Sequence, residues 1–154
     1  MSATWREEVE QSARSWMFTP YQHKGRVRGV GVDCGGLLYE VYNPIFGPFP
    51  AFPNNYAPDW ALHRSPEHYL AFIMPFVRQI DAPIAGGFSL FKYGRNFSHA
   101  GIYTARGTYI HAYGSNKSGS VRESSPRFFR IGNKDREVMH FDVNSATLER
   151  MTWR

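Results

Sequence analysis

Three residues of this chain have the types and spacing of a nucleophile and its bases. The single cysteine, Cys34, stands in GVGVDCGGLLYEV between Asp33 and the glycines Gly35 and Gly36, where a helix is predicted to begin. His99 lies in FSHAGIYTA and His111 in TYIHAYG, two of six histidines. A thiol at a helix N-terminus feels unpaired amide dipoles that stabilise its thiolate. Such a thiol needs a base to take its proton, and a further polar group to orient that base. If Ala105-Arg106-Gly107 turns the chain, the segments carrying the two histidines are adjacent antiparallel strands. Gly101 then faces His111, and the imidazoles sit diagonally on one face within reach of each other. Gly101 also leaves room beside His99. Gly35 and Gly36 are poor helix formers, costing roughly 1 kcal/mol each against Ala. They make sense in a first turn that a substrate must approach closely, with its oxyanion near the Cys34 amide.

Plainer readings stand beside this one. A free Cys is commonly a small buried apolar residue, and one His on a strand is ordinarily half-buried structure. Cys, His and His are also a possible zinc set, but no CxxC or HxxxH spacing occurs and no fourth ligand is evident. No metal and no other cofactor is expected. Gly29-x-Gly31 with Gly35 and Gly36 misses the dinucleotide-binding spacing. His23 reads as a loop residue, and His68 and His140 as ordinary helix and strand residues. Asp59-Trp60 and His63 either wall a groove or pack within their own loop.

The elements that must position these residues follow from periodicity and caps. Thr4 and Glu7 fit a capping box, and Trp5, Val9, Ala13 and Met17 form one apolar stripe of a helix that Pro20 ends. Residues 21–31 read as a loop. A second helix starts near Asp33, buries Leu37, Leu38, Val41 and Tyr42, and stops at Asn43-Pro44. Residues 46–64 form a long aromatic loop of the kind that is often functional. Ser65-Pro66-Glu67 opens a helix running to about Phe76. Beyond Gly87 the period becomes two, predicting strands at 88–93, 98–104, 108–113, 120–123, 127–131 and 137–142. Turns are expected at Gly94-Arg95-Asn96, Ala105-Arg106-Gly107 and Gly132-Asn133-Lys134. Helices followed by an antiparallel sheet make an α+β fold, with residues 1–154 as one domain. Residues 115–154 carry no assigned chemistry.

Composition narrows the partners. The chain is 42% hydrophobic and 20% charged, which is globular, and its 16% aromatic content clusters beside Pro and Gly. The net charge of +5 favours anionic partners. Its basic residues are dispersed rather than blocked, so nucleic acid is not an expected ligand. One cysteine forms no internal disulfide. The start, MSATWREEVEQ, lacks the apolar stretch of a signal peptide, and no run approaches the roughly 18 apolar residues of a membrane span. Synthesis in the cytoplasm is expected.

The order Thr19-Pro20-Tyr21, Asp33-Cys34-Gly35-Gly36, His99-Ala100-Gly101-Ile102-Tyr103 and then His111 resembles the NlpC-type papain-like cysteine peptidases, which cleave bacterial cell-wall peptides. The resemblance covers roughly residues 12–114. It implies Cys34 as nucleophile, His99 as general base and His111 as the group orienting it. It further implies Tyr21 and Gly35 at the substrate site and Asp33 against a substrate amine. The implied substrate is the peptidoglycan stem peptide, rich in carboxylates. Gly35 stands where the family usually has Ser, the Tyr-to-Cys spacing is one residue longer than its pattern, and Gly86-Gly87-Phe88 replaces its usual Gly-Asp. The NYAPDW and GRVRGVGVDC segments are similar to the branch found in phage tails and gene-transfer agents, implying a virion or tail location and tail-tip partners. Two other roles fit the same residues: a tail-assembly docking protein on a peptidase fold, and an amidase or acyltransferase.

Overall fold

The computed structural model describes residues 4–50, 73–115 and 118–151. Most of the expected helix from Ser65 and most of the aromatic loop 46–64, with Asp59-Trp60, His63 and His68, lie outside these residues; the last residues of that helix, Met74–Phe76, form a 3-10 turn.

Helix α1 spans Trp5–Arg14. Its capping box is present: the Glu7 amide donates to Thr4 Oγ1 and the Thr4 amide to Glu7 Oε2, both at 3.2 Å. The helix ends at Ser15, five residues before Pro20, and the chain reaches Pro20 through turns. Val9 and Ala13 are fully buried, with Trp5 and Met17 packed beside them, so the apolar stripe outlasts the helix itself.

Between the helices, β1 (Arg26–Val27) and β2 (Gly31–Val32) pair as a small hairpin within the segment expected to be loop. Helix α2 then runs Cys34–Phe46, through Pro44 rather than stopping there. Proline removes one intrahelical donor, but the turn beyond it buries Phe46. That ring stacks on Tyr42 at 5.5 Å and meets Trp5 edge-on at 5.5 Å. Packing of this aromatic outweighs the lost bond, and Gly47 closes the helix by donating to the Asn43 carbonyl at 2.8 Å.

The main sheet has the order β3-β10-β4-β5-β6-β7. These strands are β3 (Val77–Ile80), β4 (Phe88–Tyr93), β5 (Asn96–Tyr103), β6 (Tyr109–Ser115), β7 (Ser118–Ser124) and β10 (Val138–Val143). All five pairings are antiparallel. The observed architecture is therefore α+β, as expected. Strand β3 and a C-terminal helix α3 (Ser145–Met151), like the β1–β2 hairpin, were not foreseen. The strand expected at 127–131 is instead a 3-10 turn at Pro126–Phe129 followed by a two-residue strand β8 (Arg130–Ile131), which pairs with β9 (Lys134–Asp135). Pro126 has no amide for a ladder, and Phe129 turns inward to stack flat on Phe91 at 3.9 Å.

Alternation along β5 divides the two sides. Ala100 and Ile102 enter the core cluster shared with α1 and α2. Phe91, Tyr109 and Phe129, with Tyr103 packed on them, form a second cluster. At the sheet's β7 edge, the amide of Phe18 donates to the Val121 carbonyl and that of Tyr21 to the Gly119 carbonyl. Across the molecule, Arg6 of α1 forks onto Asp142 of β10 at 2.9 and 3.1 Å.

Candidate active site

The sulfur is positioned by its neighbours in sequence. Asp33 caps α2: its Oδ1 accepts from the Gly36 amide at 2.8 Å, and its Oδ2 from the Lys24 amide at 2.9 Å. One carboxylate thus sets both the first turn of the helix and the loop before it. His23 Nδ1 lies 3.8 Å from the same Oδ2. A Cβ on Gly36 would sit 2.9 Å from the Gly25 carbonyl oxygen. The close approach that requires glycine at 36 is made by this chain's own loop, where the sequence suggested a substrate. Gly35 is buried beside it.

The segment holding Tyr21 lies alongside. The Gln22 amide donates to the Val32 carbonyl and the Val32 amide to the Pro20 carbonyl, both at 3.0 Å. Tyr21 is thereby fixed next to the residues that lead into Cys34. Its phenol is held well above the ordinary range by burial first, then by the nearby Cys34 and Asp33.

Cys34 is half-buried, and its thiol points at the Ser98 carbonyl oxygen at 3.6 Å. The next residue on β5 is His99. Its Nε2 lies 2.8 Å from His111 Nδ1, and His111 Nε2 lies 2.9 Å from Ser124 Oγ. The β5–β6 register pairs Ile102 with Ile110, and continued one residue it sets Gly101 across from His111, as the hairpin reading required. The room beside Gly101 is taken by Tyr109, whose ring carbon would lie 3.0 Å from an added Cβ. His99 and His111 are 9% and 0% exposed. Burial, and then Arg136, lower the His99 pKa to about 3. Burial, His99 and Arg122 lower that of His111 to about 2. Both rings are neutral at pH 7.

Several residues here were not singled out from the sequence. Tyr93 meets the His99 ring edge-on at 5.3 Å, and its phenol is raised by burial chiefly, with Cys34 among the lesser causes. It is a neighbour shared by the sulfur and the imidazole. Arg136 covers Tyr93 at 3.7 Å. Phe128 and Phe129 pack on His111 at 5.1 and 4.9 Å. Ser124 and these arginine and phenylalanine residues fall in the stretch to which the sequence assigned no chemistry. No pattern marks them, because they reach the histidines across strands or from the 126–136 segment. Among the described residues, no group of His, Cys, Asp or Glu is placed to hold a metal ion.

Residues 18–131 match the sequence profile of the NlpC/P60 family. The chain belongs to the NlpC/P60 family. This is a family of cysteine hydrolases acting on the cell wall. Solved structures share its fold, among them the following two. The NlpC/P60 domain of the peptidoglycan hydrolase SagA superposes with a TM-score of 0.58 at 19% identity, covering 87% of this chain and 96% of that one. The P60 domain of the M. avium subspecies paratuberculosis antigen MAP1204 gives 0.56 at 19% identity, with 88% and 92% covered. No curated protein matches the chain in sequence. No helix among the described residues is long and apolar enough to cross a membrane.

Proposed function

We propose that this NlpC/P60 domain is a cysteine peptidase that hydrolyses peptide bonds of the peptidoglycan stem peptide, with Cys34, His99 and His111 as its triad. The observation that carries this reading is the 2.8 Å bond from His99 Nε2 to His111 Nδ1, beside a sulfur seated at the carbonyl of residue 98. With His99 donating from Nε2, its Nδ1 is the lone-pair nitrogen and takes the proton of Cys34. The thiolate attacks the peptide carbonyl, forming a C–S bond and an oxyanion. His99 returns the proton to the departing amine as the C–N bond breaks. Water, deprotonated by His99, then attacks the thioester carbonyl; the C–S bond breaks, the carboxylic acid leaves, and His99 returns the proton to the Cys34 sulfur. The oxyanion is received at the first turn of α2, near the Cys34 amide. The Gly36 and Leu37 amides are already bonded to Asp33. Tyr21 borders the substrate site. Asp33 serves chiefly by fixing the helix start, and a substrate amine meeting it would share oxygens that two backbone amides occupy.

Burial lowers both imidazole pKa values, which favours uptake of the proton at the moment of attack over a standing imidazolium. The net charge of +5 suits a carboxylate-rich substrate. Purified peptidoglycan incubated with the protein should release soluble peptide fragments, read by mass spectrometry, and Cys34→Ala should release none. Fragments that persist with Cys34→Ala would overturn the assignment. The masses name the bond, and so separate peptidase from amidase.

A second reading, a docking component of a phage tail or gene-transfer particle, is favoured by one observation. Phe18, Val27 and Val30, on the segment leading to Cys34, are 79%, 58% and 64% exposed. A docking role survives Cys34→Ala, whereas wall cleavage does not.

A further inference from the structure

We infer that Ser124 is a positioning residue of the active site: through its bond to His111 Nε2 it selects the tautomers that leave His99 able to accept the Cys34 proton. The inference rests on the peptidase reading above.

Each buried neutral imidazole carries one N–H, so the row His99–His111–Ser124 admits two arrangements. In the first, His99 Nε2–H donates to His111 Nδ1, and His111 Nε2–H donates to Ser124 Oγ. His99 Nδ1 is then a bare acceptor. In the second, every bond is reversed: Ser124 donates to His111 Nε2, His111 Nδ1–H donates to His99 Nε2, and the proton of His99 sits on Nδ1. That second form has no lone pair for the thiol.

Ser124 favours the first arrangement through what would happen without it. His111 is fully buried, and Phe128 lies edge-on against its ring. With no oxygen at 124, the first arrangement leaves a buried N–H donor without a partner, and the second leaves only a bare ring nitrogen. An orphaned buried donor is the less tolerated of the two. The same oxygen is needed after the proton has moved. His99 then carries both protons, its Nε2–H can pass to His111, and the Nε2–H of His111 still requires an acceptor. Ser124 plays one role, acceptor, from the ground state to the charged state, so no group has to turn during the transfer.

Ser124 lies two positions from Arg122, the residue paired with His111 across β6 and β7, so it reaches the imidazole on the diagonal. Ser124→Val and Ser124→Thr share shape and differ in one hydroxyl. The Val side chain also fills the place a water would take. Imidazole 15N shifts, assigned by selective histidine labelling, report the tautomers directly, and the alkylation rate of Cys34 and peptidoglycan hydrolysis report the consequence. Ser124→Val should move His99 towards the Nδ1–H form and lower kcat about tenfold or more with little change in KM. Ser124→Thr should restore both. Ser124→Ala gives the same comparison should Val unfold the strand. A folded Val or Ala variant with wild-type tautomers and rates would overturn the inference. If the wild type releases no wall fragments, the peptidase reading fails separately. The 15N shifts then still decide Ser124: a shifted His99 supports its role, and an unshifted one removes it.

Discussion

A buried imidazole that stays neutral in the native state gains a proton readily once the chain unfolds. For His99 and His111 the folded pKa values, about 3 and about 2, lie below the unfolded value of 6.5. Between these limits the unfolded chain binds more protons, so stability is fully present above pH 6.5 and is lost as the pH falls below it. Each histidine contributes a slope of up to ~1.4 kcal/mol per pH unit. His140, lowered by partial burial, acts in the same direction. The urea midpoint should therefore drop between pH 7 and pH 5, and His111→Asn should flatten that drop. The hydrolysis rate should not show an acid limb at 6.5, because His99 remains an unprotonated base well below it; unfolding should end activity first. The closeness of His99 and His111 was legible in sequence because two imidazoles on one hairpin are set by local register, whereas the place of Cys34 beside them followed from the resemblance to the family. Ser124, Tyr93 and Arg136 were not legible, since their relation to the site passes through strand pairing and a folded-over segment. Gly36 shows a subtler miss: the need for a small residue was visible, but its cause, the Gly25 carbonyl, was not.

Among the elements, α2 depends most on one side chain. Asp33→Ala removes acceptors for both the Gly36 and Lys24 amides, and should cost about 2 kcal/mol, read as a lower Tm. Asp33→Asn keeps an oxygen for one of them and should lose less. Caps and hairpins of this kind were readable in advance: the Thr4–Glu7 box, the start of α2, strand β4 to the residue, and the β5–β6 register. What escaped were decisions made by packing. Pro44 stays helical because Phe46 is buried against Tyr42 and Trp5. Phe129 leaves strand geometry to stack on Phe91. Strand β3 shows only Val77 buried, too little alternation to stand out in sequence.

At the scale of the whole molecule, the helical and sheet portions are clamped by a charge pair. Asp142 is 3% exposed and accepts two bonds from Arg6, with Arg78 at 3.5 Å as a weaker partner. Arg6→Ala leaves a nearly buried carboxylate with little compensation, and should cost about 2 kcal/mol in chemical denaturation, the partly exposed Arg78 softening the loss. Arg6→Met combined with Asp142→Leu should recover part of it, because the buried charge is then gone. Sheet order has a consequence in time. Strand β10, the last in chain order among the described residues, lies between β3 and β4. During synthesis those two strands cannot find their neighbour until residue 143 has cleared the ribosome, and both wait with open hydrogen-bonding edges. A nascent chain holding Cys34, His99 and His111 already has every reactive group of the proposed site while its sheet is still unclosed, so the site is not framed by a complete sheet until β10 has been made.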